Sequence, residues 1–223
     1  MSIDLTATSP VFLSTYLKTA PQGWGEIETL LPLTDGIPLQ QSWLAEPEPE
    51  FRPARARIGW TDHALLVHAD LVDEHPFNPM NKFNEPAFSV GDVLEVFIHP
   101  VGTEQYVEVH STPDGALLQL GFPLNWRALA ARGEFNSDIY KLGIPTPVSD
   151  VLVRPTTDGW QAFLAIPFEL IGATPEPGGV EWTLSICRYD YARGDKHPVI
   201  SSTSVMPVSD FHLTEYWSPL RFS

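Results

Sequence analysis

Residues 91–115, "GDVLEVFIHPVGTEQYVEVHSTPDG", read as two alternating strands around a short turn, with a carboxylate planted in the middle of each. Side chains alternate across a strand, so Leu94, Val96 and Ile98 share one face while Glu95 and Phe97 share the other. On the second strand, Val107 and Val109 oppose Tyr106, Glu108 and His110. One face is thus an ordinary apolar face, and the other gathers glutamates, aromatic rings and a histidine. A hairpin loop of Pro100 to Thr103 predicts Glu95 directly across from Glu108, and like charges in that position destabilise a sheet. Compensation is expected from an arginine (Arg188 or Arg127), a cation, a proton or the hydroxyls of a ligand.

The strand signal continues on both sides of this hairpin. Upstream, "AEPEPEFRP" (45–53) reads as a surface loop because its prolines remove amide donors. "ARARIGWTDHALLVHADLV" (54–72) predicts two strands joined at Thr61-Asp62, and "DEHPFNPMNKFNEPAF" (73–88) a long loop of the kind that is usually functional. Downstream, Ala116 to Phe122 extends the meander, and "NWRALAARGEF" (125–135) predicts a short helix ending at Gly133. "VLVRPTTDGWQAFLAIPFELIG" (151–172) predicts a hairpin turning at Asp158-Gly159 and stopping at Pro167, and "VEWTLSICRYDY" (180–191) another strand, with a short closing strand at the C-terminal end. Trp60, Trp160 and Trp182 fall in these strand patterns as core residues. The sum predicts an all-β chain: a two-sheet antiparallel β-sandwich, immunoglobulin-like or jelly-roll in type, with long loops and at most one short helix, forming one domain over residues 1–223.

Composition narrows the partners. The 28 acidic residues outnumber the 13 basic ones, for a formal net charge of −15 in 223 residues, which repels phosphate backbones and anionic lipid. No nucleic acid and no membrane are therefore expected as partners. The single cysteine, Cys187, rules out an intrachain disulfide or a cysteine-ligated zinc site and reads as a buried strand residue. No basic start followed by an apolar run marks a secretory leader, and no segment approaches the ~18 apolar residues of a membrane span. The expected location is cytoplasmic, or secreted if a leader is missing from the sequence. No metalloprotease helix motif and no serine-hydrolase elbow occurs.

Four segments in this order carry a family resemblance: "IGWTDHALLVHADLVDEH", then "GDVLEVFIHP" with "YVEVHSTPDG", then "DGWQAFLAIPFELIG" leading to "WTLSICRYDY", and finally "FHLTEYWSPLRF". Together they resemble the family 9-like carbohydrate-binding modules and their DOMON-like β-sandwich relatives, over roughly residues 54–222. The resemblance implies a non-catalytic sandwich that binds a mono- or oligosaccharide, often between two aromatic plates, with structural calcium in some members. Near the family's two clamp tryptophans this chain has Phe88 and Phe211, and at the family's strand arginine it has Val107 or Glu108.

A sugar presents apolar C–H faces and a polar rim, so its site needs aromatic plates and hydrogen-bonding side chains. The candidate ligand-binding residues are Phe88, Glu95, Glu108, His110, Trp126 and Phe211, and no catalytic residue is assigned. For calcium, the oxygen-rich cluster of Asp70, Asp73 and Glu74, with His75, stands at a strand end. Two alternatives remain open at the level of sequence. One is a DOMON-like haem-binding electron-transfer domain with axial ligands among Met80, Met206, His75 and His110. The other is a small glycoside-processing enzyme using Glu95 and Glu108, for which directly paired strand residues leave little room.

Overall fold

The structure, a computed structural model, describes residues 9–135, 138–146, 149–178, 180–192 and 196–223. The strands, in chain order, are β1 (Phe12–Tyr16), β2 (Ile37–Leu39), β3 (Ala54–Trp60), β4 (Ala64–Val72), β5 (Val93–Pro100), β6 (Gln105–Ser111), β7 (Leu117–Pro123), β8 (Asp150–Pro155), β9 (Gly159–Pro167), β10 (Val180–Asp190), β11 (Val199–Ser202) and β12 (Ser218–Phe222). Among the described residues four short α-helices intervene: α1 (Trp24–Leu30), α2 (Trp126–Ala131), α3 (Ile139–Leu142) and α4 (Phe168–Ile171). The all-β expectation holds, and so do the predicted hairpins at Thr61-Asp62 and Asp158-Gly159. The helix predicted in 125–135 is α2, with Gly133 at φ 72° just beyond it.

One feature of the expected architecture is corrected: helices exceed the single one predicted, α1 with seven residues and α3 and α4 with four each joining α2. As for the two expected sheets, the strands fall into two halves, β7-β6-β5-β10-β12 and β3-β4-β9-β8, that share β1. They form one hydrogen-bonded path in the order β7-β6-β5-β10-β12-β1-β3-β4-β9-β8, with β11 added beside β10 and β2 beside β3. The join is β1, whose first half pairs parallel to β12 (Phe12 opposite Leu220) and whose second half pairs parallel to β3 (Tyr16 opposite Trp60). Parallel partners need long crossovers, so no local turn signal announces them.

The path curls around one core. Leu94, Val96 and Ile98 of β5, Val107 and Val109 of β6, and Leu184 and Ile186 of β10 meet Ile58, Leu65, Val67, Leu164 and Ile166 from the other half. Trp60, Trp160 and Trp182 are buried here, as expected. Two outer faces are covered as well. Ile27 of α1, followed by Leu31, packs on Leu66 and Phe163, which explains why β4 and β9 read as almost unbroken apolar runs. On the opposite half, an aromatic cluster of Phe97, Tyr106, Phe122, Phe211 and Trp217, with Met206 and Cys187, lies over the outer face of β5, β6, β7 and β10. The glutamate-bearing face is therefore an interior.

The hairpin register also differs from expectation. Glu95 pairs with His110, and Phe97 pairs with Glu108. Pro100 stays in β5, its carbonyl accepting hydrogen bonds from the Thr103 backbone amide and hydroxyl, and Gly102 takes φ 93° in the turn. Moving the turn one residue onward shifts the register by two and leaves the faces unchanged.

Candidate functional site

The buried polar face carries a cavity of ≈ 210 Å³, lined by Phe88, Glu95, Phe97, Glu108, His110, Leu120, Phe122, Leu142, Tyr189, Ser209, Asp210, Phe211 and His212. Strand alternation supplies its floor: Glu95 and Phe97 from β5, Glu108 and His110 from β6, Leu120 and Phe122 from β7, and Tyr189 from β10. The loop after β4 delivers Phe88, and the segment before β12 delivers Ser209 to His212. Five of the six sequence-derived ligand candidates are thus brought together. Trp126 is not among them; its ring stands one layer out, 5.5 Å from His212 and 6.0 Å from Phe122 by centroid, with the Arg127 guanidinium over it.

A chain of polar side chains crosses the floor. His110 Nδ1 lies 3.2 Å from Glu95 Oε1, and its Nε2 lies 3.3 Å from Glu108 Oε2. Glu108 Oε1 lies 3.2 Å from His212 Nδ1, which also meets the Tyr106 hydroxyl at 2.8 Å. Of these contacts only the His110–Glu108 and Tyr106–His212 pairs have hydrogen-bond geometry; Glu108 Oε1 and His110 Nδ1 are buried atoms without a hydrogen-bonding partner. The imidazole of His110 stands between the two carboxyls, so the expected direct glutamate pair is replaced by a Glu–His–Glu bridge.

Burial sets the charge state of this chain. It pushes Glu95 up to about 8, and it raises Glu108 well above the carboxylate range, with the neighbouring Glu95 adding to the effect. It lowers His110 to about 3, helped by His212, and His212 itself to about 4. Burial likewise raises Tyr189 and Tyr106. At neutral pH the chain is therefore uncharged, although every acid–base pair in it is close enough to be written as an ion pair. Neither expected arginine reaches it: Arg127 holds Asp210 at 2.7 Å on the rim, and Arg188 is engaged elsewhere.

Phe88 and Phe211 differ in kind. Phe88 is half-buried, its centroid 5.9 Å from His110 and 6.3 Å from Tyr189. Phe211 is 4% exposed and wedged among Tyr189, Phe97 and Trp43. His212 and Tyr189 were missed by sequence reading. The alternation of β10, with Trp182, Leu184 and Ile186 inward, was the signal that would have placed Tyr189 on the outer face; His212 sits in an irregular segment with no such period.

The oxygen ligands expected for calcium do not assemble as predicted. Asp70 accepts from Gln161, while Glu74 and His75 are exposed. Asp73 instead meets Asp92 and Asp190, all three buried, with carboxylate oxygens within 4.8 Å of one another. This trio does not fit calcium, because its oxygens are engaged. Arg188, itself buried, lies 3.0 Å from Asp73 Oδ2 and 3.1 Å from Asp190 Oδ2, and Arg52 reaches Asp190 Oδ1 at 3.5 Å. Both Asp92 oxygens accept backbone amides, from Phe77 and Tyr191 at 2.7 Å each. The Arg188 guanidinium supplies the positive charge beside two of the three carboxylates.

The haem ligands considered from sequence are likewise dispersed. His75 and Met80 lie on the loop after β4 and Met206 in the outer aromatic cluster, while both ring nitrogens of His110 face carboxyls. A cavity of ≈ 210 Å³ is also smaller than the about 300–1,000 Å³ of drug-sized pockets, and so too small for a porphyrin.

No protein-family model matches the sequence, and no curated protein matches it. Solved structures do match. A Bacteroides uniformis protein provisionally assigned to carbohydrate binding superposes with a TM-score of 0.70 at 16% identity, over 96% of this chain and 99% of that one. A family 9 carbohydrate-binding module from Caldicellulosiruptor kristjanssonii, in complex with cellotriose, superposes at 0.63 with 11% identity over 95% and 92%. The same kind of module from that organism in complex with glucose gives 0.63 with 10% identity over 95% of both chains. With nearly the full length of each chain aligned, this protein has the fold of the family 9-like carbohydrate-binding modules.

Proposed function

We propose that this protein is a non-catalytic module that binds a carbohydrate in the cavity over β5, β6, β7 and β10. The observation that carries the reading is the chamber itself, in which aromatic rings stand beside buried carboxyl and imidazole side chains, two of whose atoms, Glu108 Oε1 and His110 Nδ1, make no hydrogen bond. Leaving buried polar atoms unmatched costs about 1–3 kcal/mol each, and hydroxyl groups, which both donate and accept, relieve it. The rings supply the apolar surface that a pyranose C–H face prefers. At ≈ 210 Å³ the chamber suits a single sugar ring or a chain end. Candidate contacts are Phe88, Glu95, Glu108, His110 and Phe211, joined by Tyr189 and His212.

A glycosidase role is disfavoured by the same geometry. His110 fills the space between the two carboxyls where a scissile bond would lie, and burial keeps both carboxyls protonated. Isothermal calorimetry against glucose, galactose, mannose, their amino and N-acetylamino forms, and short oligosaccharides tests the reading. Saturable binding of at least one sugar, with no release of product, is expected. A folded protein that binds none of them overturns it.

A further inference from the structure

Two buried carboxyls without a cationic partner are a costly way to bind a neutral sugar. Amide side chains would offer the same hydrogen bonds with no charge to suppress. What only carboxyls add is negative charge. Among the described lining residues none is lysine or arginine, and Arg127 is tied to Asp210 by two hydrogen bonds at the rim. Phe88, Phe97, Phe122, Tyr189 and Phe211 surround the carboxyls, and aromatic faces attract a cation. The net charge of −15 draws cations toward the molecule from solution.

Resting on the carbohydrate-binding reading, we infer that the cavity selects a sugar bearing a free ammonium group, which Glu108 receives as a carboxylate within the aromatic wall while Glu95 keeps its proton. Glu108 Oε1, which lies 3.2 Å from His212 Nδ1 but accepts no hydrogen bond, is the acceptor such a group would meet. The groups facing the two glutamates are His110 from β6, His212 and Asp210 from the segment before β12, Tyr106 from β6, and Cys187 and Tyr189 from β10. None is a cation at neutral pH, since burial keeps both histidines neutral. The ligand's charge therefore replaces one proton that the glutamates hold in the free protein. That proton leaves Glu108 to the buffer as the ammonium–carboxylate contact forms, so one proton is released per ligand bound.

The test is a within-pair comparison by calorimetry on the full chain at pH 7: glucosamine against glucose, galactosamine against galactose, mannosamine against mannose, with the N-acetylated forms and ethanolamine as controls. A charged hydrogen bond outweighs a neutral one enough to expect about tenfold tighter binding for one amino sugar than for its neutral and N-acetylated partners. Its binding heat should also vary with the ionisation heat of the buffer, reporting proton release, and should weaken from pH 7 to pH 5 while that of the neutral sugar does not. In Glu108→Gln the amino-to-neutral affinity ratio should fall toward one; if that variant does not fold, the wild-type ratio and the buffer dependence decide. Neutral sugars binding as well as their amino partners would overturn the ammonium preference and leave the carbohydrate reading standing. Ethanolamine binding as tightly as the amino sugar would overturn both, and so would the absence of binding by every sugar.

Discussion

At the scale of single residues, Phe88 and Phe211 are set apart by burial. Phe211, at 4% exposure, is both cavity wall and core. Phe211→Ala is expected to lose about 3–5 kcal/mol of stability, as truncation of a buried aromatic does. Phe88→Ala should cost about 1 kcal/mol of stability yet weaken sugar binding severalfold, since a stacking ring is worth roughly 0.5–1.5 kcal/mol beyond its area. Urea denaturation and calorimetry on both variants separate the roles, and equal stability losses at the two sites would contradict the distinction. Both residues were legible as aromatic candidates. What sequence could not supply was their burial: that of Phe211 depends on its segment folding back over Phe97 and Tyr189, and that of Phe88 on the loop after β4 reaching His110 and Tyr189.

At the scale of elements, the central hairpin shows how far local pattern reaches. Its two faces were readable from alternation, and a register shift of two preserved them. The direct opposition of Glu95 and Glu108 was not preserved, because the turn begins after Pro100. The loop from Asp73 to Val90 is held to the start of β5 by a close approach at Gly91. An added Cβ there would lie 2.7 Å from the Phe77 carbonyl oxygen and 2.8 Å from Asn78 Cα, both backbone atoms that cannot turn aside. The Asp92 amide and carboxylate bind Phe77 at the same point, and the Asn78 amide group donates to the Ala87 and Asp92 carbonyls. Gly91→Ala is therefore expected to destabilise the fold by about 1–3 kcal/mol, as overpacking does, and to weaken ligand binding by displacing Phe88. An unchanged denaturation midpoint would show that the loop yields without cost.

At the scale of the whole molecule, the buried Glu–His–Glu–His chain ties stability to pH. His110 and His212 have pKa values lowered from 6.5 to about 3 and about 4, so below pH 6.5 the unfolded chain takes up protons that the folded one refuses, and stability falls as acid is added. Glu95 is raised from 4.5 to about 8 and Glu108 is raised too, so above pH 4.5 the folded chain holds protons that the unfolded one releases, and stability falls as pH rises. The opposing slopes of these four groups largely cancel between pH 4.5 and 6.5. Above that range the two glutamates each remove up to about 1.4 kcal/mol per pH unit until the folded pKa is reached, and Asp92, which burial pushes up to about 7, adds to the decline at its lower end. Thermal melts from pH 5 to pH 8 should show this alkaline decline, and Glu95→Gln with Glu108→Gln should make it shallower. A wild-type decline no steeper than that of the double variant would mean that the carboxyls ionise freely in the folded protein. On its own the sequence determined the strands from β3 to β10 and the closing β12, the apolar faces of the central hairpin and β10, the core tryptophans and the polar, aromatic character of the site face, because these follow from a two-residue period and local turn chemistry; the short β1, β2 and β11 carry no such period. Only the tertiary structure decided that β1 stitches the two halves into one path, that Arg188 pairs with Asp73 and Asp190, and that His110 and His212 rather than an arginine meet the glutamates. Those outcomes depend on pairings between segments up to two hundred residues apart, which no local period encodes.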